Sequence, residues 1–252
     1  MKVVVLTRNP RGIASRFLAR GRIQVDAVLL DEGAVKGRLA HVRHKLLKLR
    51  RVGLSALPVG LALRRAYAAA GSLDVAPIGE LGIPVDRVPS LNSEAARAML
   101  RELAPDVAVS LDNAIIAEET FSIPRLGTIN VHHGAVPDYA GGPPVFWELA
   151  DGRDRVGFTV HLIDTGIDSG PVLAANEVPI VERPTLTETI TATLPALHEA
   201  SLETLEDVLQ RLASGELEAR PQEARERPIR TTPTLREYLR VRRTLRHYDR
   251  AS

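Results

Sequence analysis

Short apolar runs alternate along the first half of the chain with stretches whose apolar positions recur every three or four residues. The runs at 3–6, 25–30, 83–88 and 106–111 are rich in Val, Ile and Leu. Bounded by turn residues, such runs read as strands buried on both faces. Residues 13–18 and 93–103 carry helical spacing instead, the second opened by a cap at Asn92 or Ser93. Strands separated by helices predict a mostly parallel sheet, because each crossover helix covers a sheet face.

The pattern changes after residue 127. Residues 127–133 read as a strand whose period-2 alternation puts Asn130 and His132 on one face and Ile129, Val131 and His133 on the other. Gly134 and Pro137 end it. A loop at 139–144 leads into a helix at 145–150, where Phe146 and Trp147 are adjacent and only one need face the core. Residues 155–163 form a strand in which Gly157, Thr159 and His161 alternate with Phe158, Val160 and Leu162. Residues 172–180 are its partner, antiparallel because only a short loop joins the two. A long helix over 185–212, capped by Thr185 or Thr187 and ended by Gly215, then covers the sheet.

Two basic segments stand apart. Residues 36–51 read as an amphipathic helix with Leu39, Val42, Leu46 and Leu49 on one face and Arg, Lys and His around the rest. A solvated helix packed on the core and a grip on an anionic partner both fit it. Gly53, Pro58 and Gly60 break that pattern before a second helix at 61–70, so 34–70 is expected to be a helical insertion over one sheet face. A proline-rich stretch and a basic helix at 235–248 follow the long helix. The expected division is a catalytic domain at 1–213 and a basic extension at 214–252.

Composition narrows the class. With 252 residues, 44% hydrophobic and 25% charged, the chain has ordinary globular content. A net charge of +2 does not imply nucleic acid. The absence of cysteine removes disulfides, thiol chemistry and Cys-zinc sites. No H-E-x-x-H spacing is present, so no metal is expected. The amino terminus is a β run rather than a signal h-region, and the apolar window 54–63 is too short to span a bilayer. The expectation is a cytoplasmic protein without a transmembrane segment. The first turn lacks G-x-G-x-x-G spacing, so a dinucleotide is not supported. Arg8, Arg11 and the helix amino terminus beside them suit a substrate phosphate, and equally suit a solvated turn.

The chemistry concentrates in residues 129–137 and the loop 164–170. An Asn that donates to a developing oxyanion, a His that moves a proton and an Asp that orients the His suit addition of an amine to a carbonyl. The Asn130-x-His132 pair, then Pro137-x-Tyr139-x-Gly141, then Asp164-Thr165-Gly166-Ile167-Asp168-Ser169-Gly170-Pro171 resemble the folate-dependent formyltransferases. That family includes glycinamide ribonucleotide, methionyl-tRNA and sugar N-formyltransferases and formyltetrahydrofolate deformylases. The resemblance is clear over residues 105–180.

It implies the formyltransferase fold: an α/β protein with a Rossmann-like, mostly parallel sheet, an antiparallel carboxyl-terminal hairpin, a helical insertion and a short helical tail. It further implies Asn130, His132 and Asp168 as catalytic residues and 10-formyltetrahydrofolate as cosubstrate. The backbone of Asn113, Ala114, Ile115 and Ile116 and of Asp164, Thr165 and Gly166 then lines the pterin pocket. Gly134 stands where many relatives have Ser. With Arg8, Arg11 and Tyr139 it is expected on the acceptor side, while His133 and His161 are read as supporting or packing residues.

A small phosphorylated amine, foremost a nucleotide-linked amino sugar, is the expected acceptor, and a homodimer stays open. Methionyl-tRNA formyltransferases carry a large carboxyl-terminal RNA-binding domain that the tail seen here does not match. A deformylase, the methionyl-tRNA and glycinamide ribonucleotide enzymes, and a non-catalytic folate- or RNA-binding relative are the alternatives.

Overall fold

The structure, a computed structural model, describes residues 1–33, 56–70, 75–113 and 115–248. Its elements run β1 (Val3–Thr7), α1 (Ile13–Ala19), β2 (Ala27–Asp31), α2 (Ala56–Ala70), β3 (Val85–Val88), α3 (Glu94–Leu103) and β4 (Val107–Leu111). Then follow the short α4 (Glu118–Phe121), β5 (Thr128–His132), α5 (Phe146–Ala150), β6 (Arg155–Leu162), β7 (Val172–Pro179), α6 (Leu186–Ser214) and α7 (Leu235–Tyr248). The strands form one seven-stranded sheet in the order β3-β2-β1-β4-β5-β6-β7. The first five are parallel. β6 and β7 pair antiparallel, β6 also to β5, so the direction of the sheet reverses beside β5.

Both faces of the parallel part are covered, which is why its strands read as unbroken apolar runs. Val3, Val5, Val107, Val109 and Ile129 face Phe17 and Leu18 of α1 and Leu202, Leu205 and Leu209 of α6. Val4, Leu6, Leu29 and Ala108 face Ala96 and Leu100 of α3 on the other side. A further cluster joins Val59, Leu63 and Ala66 of α2 to Phe146, Phe158, Ile190, Leu197 and Val241.

Local signals explain several helix ends. The Ser93 hydroxyl accepts from Ala96 N–H at 3.2 Å and caps α3. Thr185 and Glu188 form a reciprocal capping box on α6, and Gly215, at φ 75°, closes that helix in the left-handed region.

One expectation needs correction. α2 begins at Ala56, not after Gly60. Pro58 and Gly60 both lie within the described helix. Phe146 and Trp147 are both buried, because residues of the tail cover the indole and its Nε1 donates to Thr231 O at 3.0 Å. The basic helix expected at 36–51 lies outside the described residues. Among the described residues no helix is long and apolar enough to cross a membrane.

Candidate active site

β4 and β5 end side by side at the carboxyl edge of the sheet, where parallel α/β sheets leave room for ligands. The reversal at β6 brings a second set of side chains to the same place. Asn130 on β5 lies directly opposite His161 on β6, and His132 opposite Thr159. Residues opposite one another in a ladder share a face, so the pair converges.

Asn130 Nδ2 stands 3.2 Å from His161 Nε2. His161 Nδ1 donates to the Leu162 carbonyl at 2.8 Å, which fixes the tautomer and leaves Nε2 as an acceptor for the Asn130 amide. Burial depresses the pKa of His161 and favours this neutral form. His161 therefore orients the amide of Asn130.

His132 is held in a similar way. Its Nε2 donates to the Tyr139 carbonyl at 2.8 Å, which turns Nδ1 toward Asp168. Asp168 Oδ2 lies 3.4 Å from that nitrogen, and Oδ1 lies 3.9 Å from His161 Nε2. The backbone N–H of Gly141 donates to Asp168 Oδ2 at 2.8 Å and fixes the carboxylate from outside. One carboxylate thus faces two imidazoles and, through one of them, an amide.

The loops allow little freedom. A Cβ on Gly170 would lie 1.8 Å from the Leu162 carbonyl, so the Asp168 loop approaches β6 as only glycine permits. Gly134 is equally confined: a Cβ there would lie 2.4 Å from Tyr139 O and 2.6 Å from His132 Nε2. Gly134 is packing space beneath the imidazole. His133 points to the opposite face, its ring centroid 5.0 Å from that of His198 and its Nε2 3.3 Å from Ser201 Oγ.

Beside Asn130, His161 and Asp168 opens a cavity of about 520 Å³. Its wall includes Asn113, Ile115, Ile116, Phe121 and Ile163 and the turn Asp164, Thr165, Gly166. Ala114 lies outside the described residues. Asn113 Nδ2 donates to Leu6 O at 2.6 Å and Ser110 Oγ at 3.0 Å, while its buried Oδ1 has no partner among the described residues. An unpaired acceptor in a wall that mixes Ile and Phe side chains with polar groups suits a flat heteroaromatic ligand carrying N–H donors.

Other candidates lie elsewhere. Arg8 and Arg11 are exposed and do not line the cavity. The amino terminus of α1 already has its anion, since Ile13 N–H donates to Asp112 Oδ2 at 2.9 Å. The Tyr139 hydroxyl donates to Asp151 at 3.2 Å, and burial with that neighbouring charge pushes its pKa up to about 12. It is the Tyr139 carbonyl, not the ring, that meets the catalytic candidates. His161 was the residue that strand alternation left undecided; the antiparallel pairing of 155–163 with 127–133, had it been recognised, would have placed it opposite Asn130.

A family model described as "Formyl transferase" matches residues 83–209, half of the chain, from β3 into α6. The methionyl-tRNA formyltransferase of Koribacter versatilis is 35% identical over 144 residues, 56% of this chain and 45% of that protein. The chain thus spans about half the length of the curated relatives it matches. Among solved structures, glycinamide ribonucleotide transformylase 1 of Symbiobacterium toebii has a TM-score of 0.58 at 16% identity, covering 88% of this chain and 94% of that one. A sugar N-formyltransferase of a Shewanella species has a TM-score of 0.55 at 17% identity, covering 96% and 86%. These two likenesses are of fold. With Asn130, His132, His161 and Asp168 all inside the matched segment, the chain belongs to the formyl transferase family.

Proposed function

We propose that the protein transfers a formyl group from 10-formyltetrahydrofolate to a primary amine. The observation that carries this reading is the cavity with an unpaired Asn113 acceptor opening onto the Asn130, His161 and Asp168 cluster. Asn113, Ile115, Ile116 and the turn 164–166 hold the pterin in this reading, and Ala114 is assigned with them. The formyl carbon then sits by Asn130.

The amine adds to the formyl carbon as its carbonyl π bond opens. Asn130 Nδ2 has a second hydrogen beyond the one facing His161, and donates it to the oxygen that gains charge. His132, positioned through Nε2, supports the same oxygen from its Nδ1 side, next to Asp168. Asp168 accepts the proton that the amine loses, directly or through water; the oxyanion then reforms the carbonyl as the carbon–nitrogen bond to folate breaks, and Asp168 returns that proton to the leaving nitrogen. No covalent bond to the enzyme forms.

For the acceptor we take a nucleotide-linked amino sugar. Arg8 and Arg11, exposed just beyond the carboxyl end of β1, support it as cations at the edge where the site opens. Transfer to methionyl-tRNA is the second reading, favoured by the names of the sequence relatives.

The test is incubation with 10-formyltetrahydrofolate and, in turn, nucleotide-linked amino sugars, glycinamide ribonucleotide and methionyl-tRNA, with mass detection of products. One formyl mass gained by one acceptor is expected, and formate release without acceptor would instead mark a deformylase. Asn130→Ala is expected to lower turnover roughly 100- to 1,000-fold, the usual loss for one oxyanion donor. A folded variant with full turnover would exclude the mechanism.

A further inference from the structure

We infer that Gln222, in the segment between α6 and α7, is a positioning residue that sets the direction of the Asp168 carboxylate. The inference rests on the reading of Asp168 as a reacting group. Gln222 Nε2 donates to the Asp168 carbonyl at 3.1 Å and to the Gly170 carbonyl at 2.6 Å. One side-chain amide carries two hydrogens, and here both go to one loop. Arg225 donates to the preceding carbonyl, Ile167 O, at 2.7 Å. Upstream, Arg220 and Val172 exchange backbone hydrogen bonds at 2.7 and 2.8 Å, so the segment lies against the start of β7.

The loop needs this hold. Asp168 has φ 49°, a left-handed conformation that a residue with a Cβ keeps only when its surroundings enforce it. Its carbonyl and its carboxylate branch from one Cα, so the backbone that carries the first sets where the second starts. Gln222 holds the first, while the second accepts from Gly141 N–H and faces His132 and His161. With both the Asp168 and Gly170 carbonyls released, the backbone of the loop is free to shift, and a shift of the Asp168 Cα carries the carboxylate away from both rings. Gln222 also lies beyond the matched family segment, which ends at residue 209.

The Gly141 amide reports the carboxylate directly, because its partner is Asp168 Oδ2. Amide hydrogen exchange of the whole chain is measured by NMR in the parent, Gln222→Met and Gln222→Glu, both of similar length and neither donating at pH 8. Exchange at Gly141 is expected to quicken at least tenfold, while the Arg230 amide, bonded to Ala140 O on the same loop, stays within about threefold. Turnover should fall about tenfold in both variants and no further when either is combined with Asp168→Asn. Unchanged Gly141 exchange, equal losses in both backgrounds, or failure of Gln222→Met to fold would each overturn the inference. Full turnover by Asp168→Asn would overturn the reading of the site as well; an inactive Asp168→Asn beside unaffected Gln222 variants overturns only the inference.

Discussion

Gly134 shows how one residue's meaning depends on what returns to it through space. Judged by position in the motif, its missing side chain is a lost hydroxyl on the acceptor side. In the structure the Tyr139 carbonyl and the His132 ring occupy that volume. Gly134→Ala and Gly134→Ser are therefore expected to displace the imidazole, costing roughly 1–3 kcal/mol of stability. Turnover should fall tenfold or more in a variant that remains folded, read by urea unfolding and steady-state rates side by side. Asn130 and His132 were legible because alternation along a single strand fixes relative direction. The contact at Gly134 was not, since it depends on a turn folding back five residues later.

At the scale of elements, local chemistry decides what could be read. The Thr185 and Glu188 box on α6 is written in four consecutive residues, and the helix starts where they say. Thr185→Ala should cost about 1 kcal/mol, measurable as a lower urea midpoint with an unchanged slope. α2 was misjudged because Pro58 and Gly60 read as breakers by residue type, whereas both lie inside the described helix and Val59, Leu63 and Ala66 pack into the core. Core packing of Phe146 and Trp147 was the favoured reading and holds, although the cover of the indole comes from residues more than eighty positions away. The turn at 164–170 was legible as a motif, while the amide that holds it lies outside any pattern local to it.

Across the whole molecule, two buried titrations oppose each other. Burial and the nearby Arg16 lower His198 to about 4, so the unfolded chain binds more protons between that value and about 6.5. Stability from His198 is then lost as pH falls through that window, and the neighbouring His133, also held low by burial, adds to the loss. Glu148 behaves oppositely. Burial raises it to about 7, so the folded chain keeps a proton that the unfolded chain has released above about 4.5, and stability declines as pH rises toward 7. Each is worth at most about 3 kcal/mol. Thermal unfolding of Glu148→Gln should show a steeper loss toward acid than the parent, and His198→Gln a shallower one. If both variants track the parent from pH 4.5 to 7, this account of the core is wrong. The mixed sheet, parallel first and antiparallel at its end, was legible from spacing and loop length, but these burials were not, because they arise where α2, α5 and α6 meet the sheet.

The pairing of Asn130 with His161 has a kinetic consequence. Side chains in a strand alternate, so a one-residue slip between β5 and β6 would send the two to opposite faces of the sheet while leaving a nearly complete ladder. Such a molecule would look folded by far-ultraviolet circular dichroism and would be inert. Recovered turnover after refolding is therefore a count of chains that chose the right register.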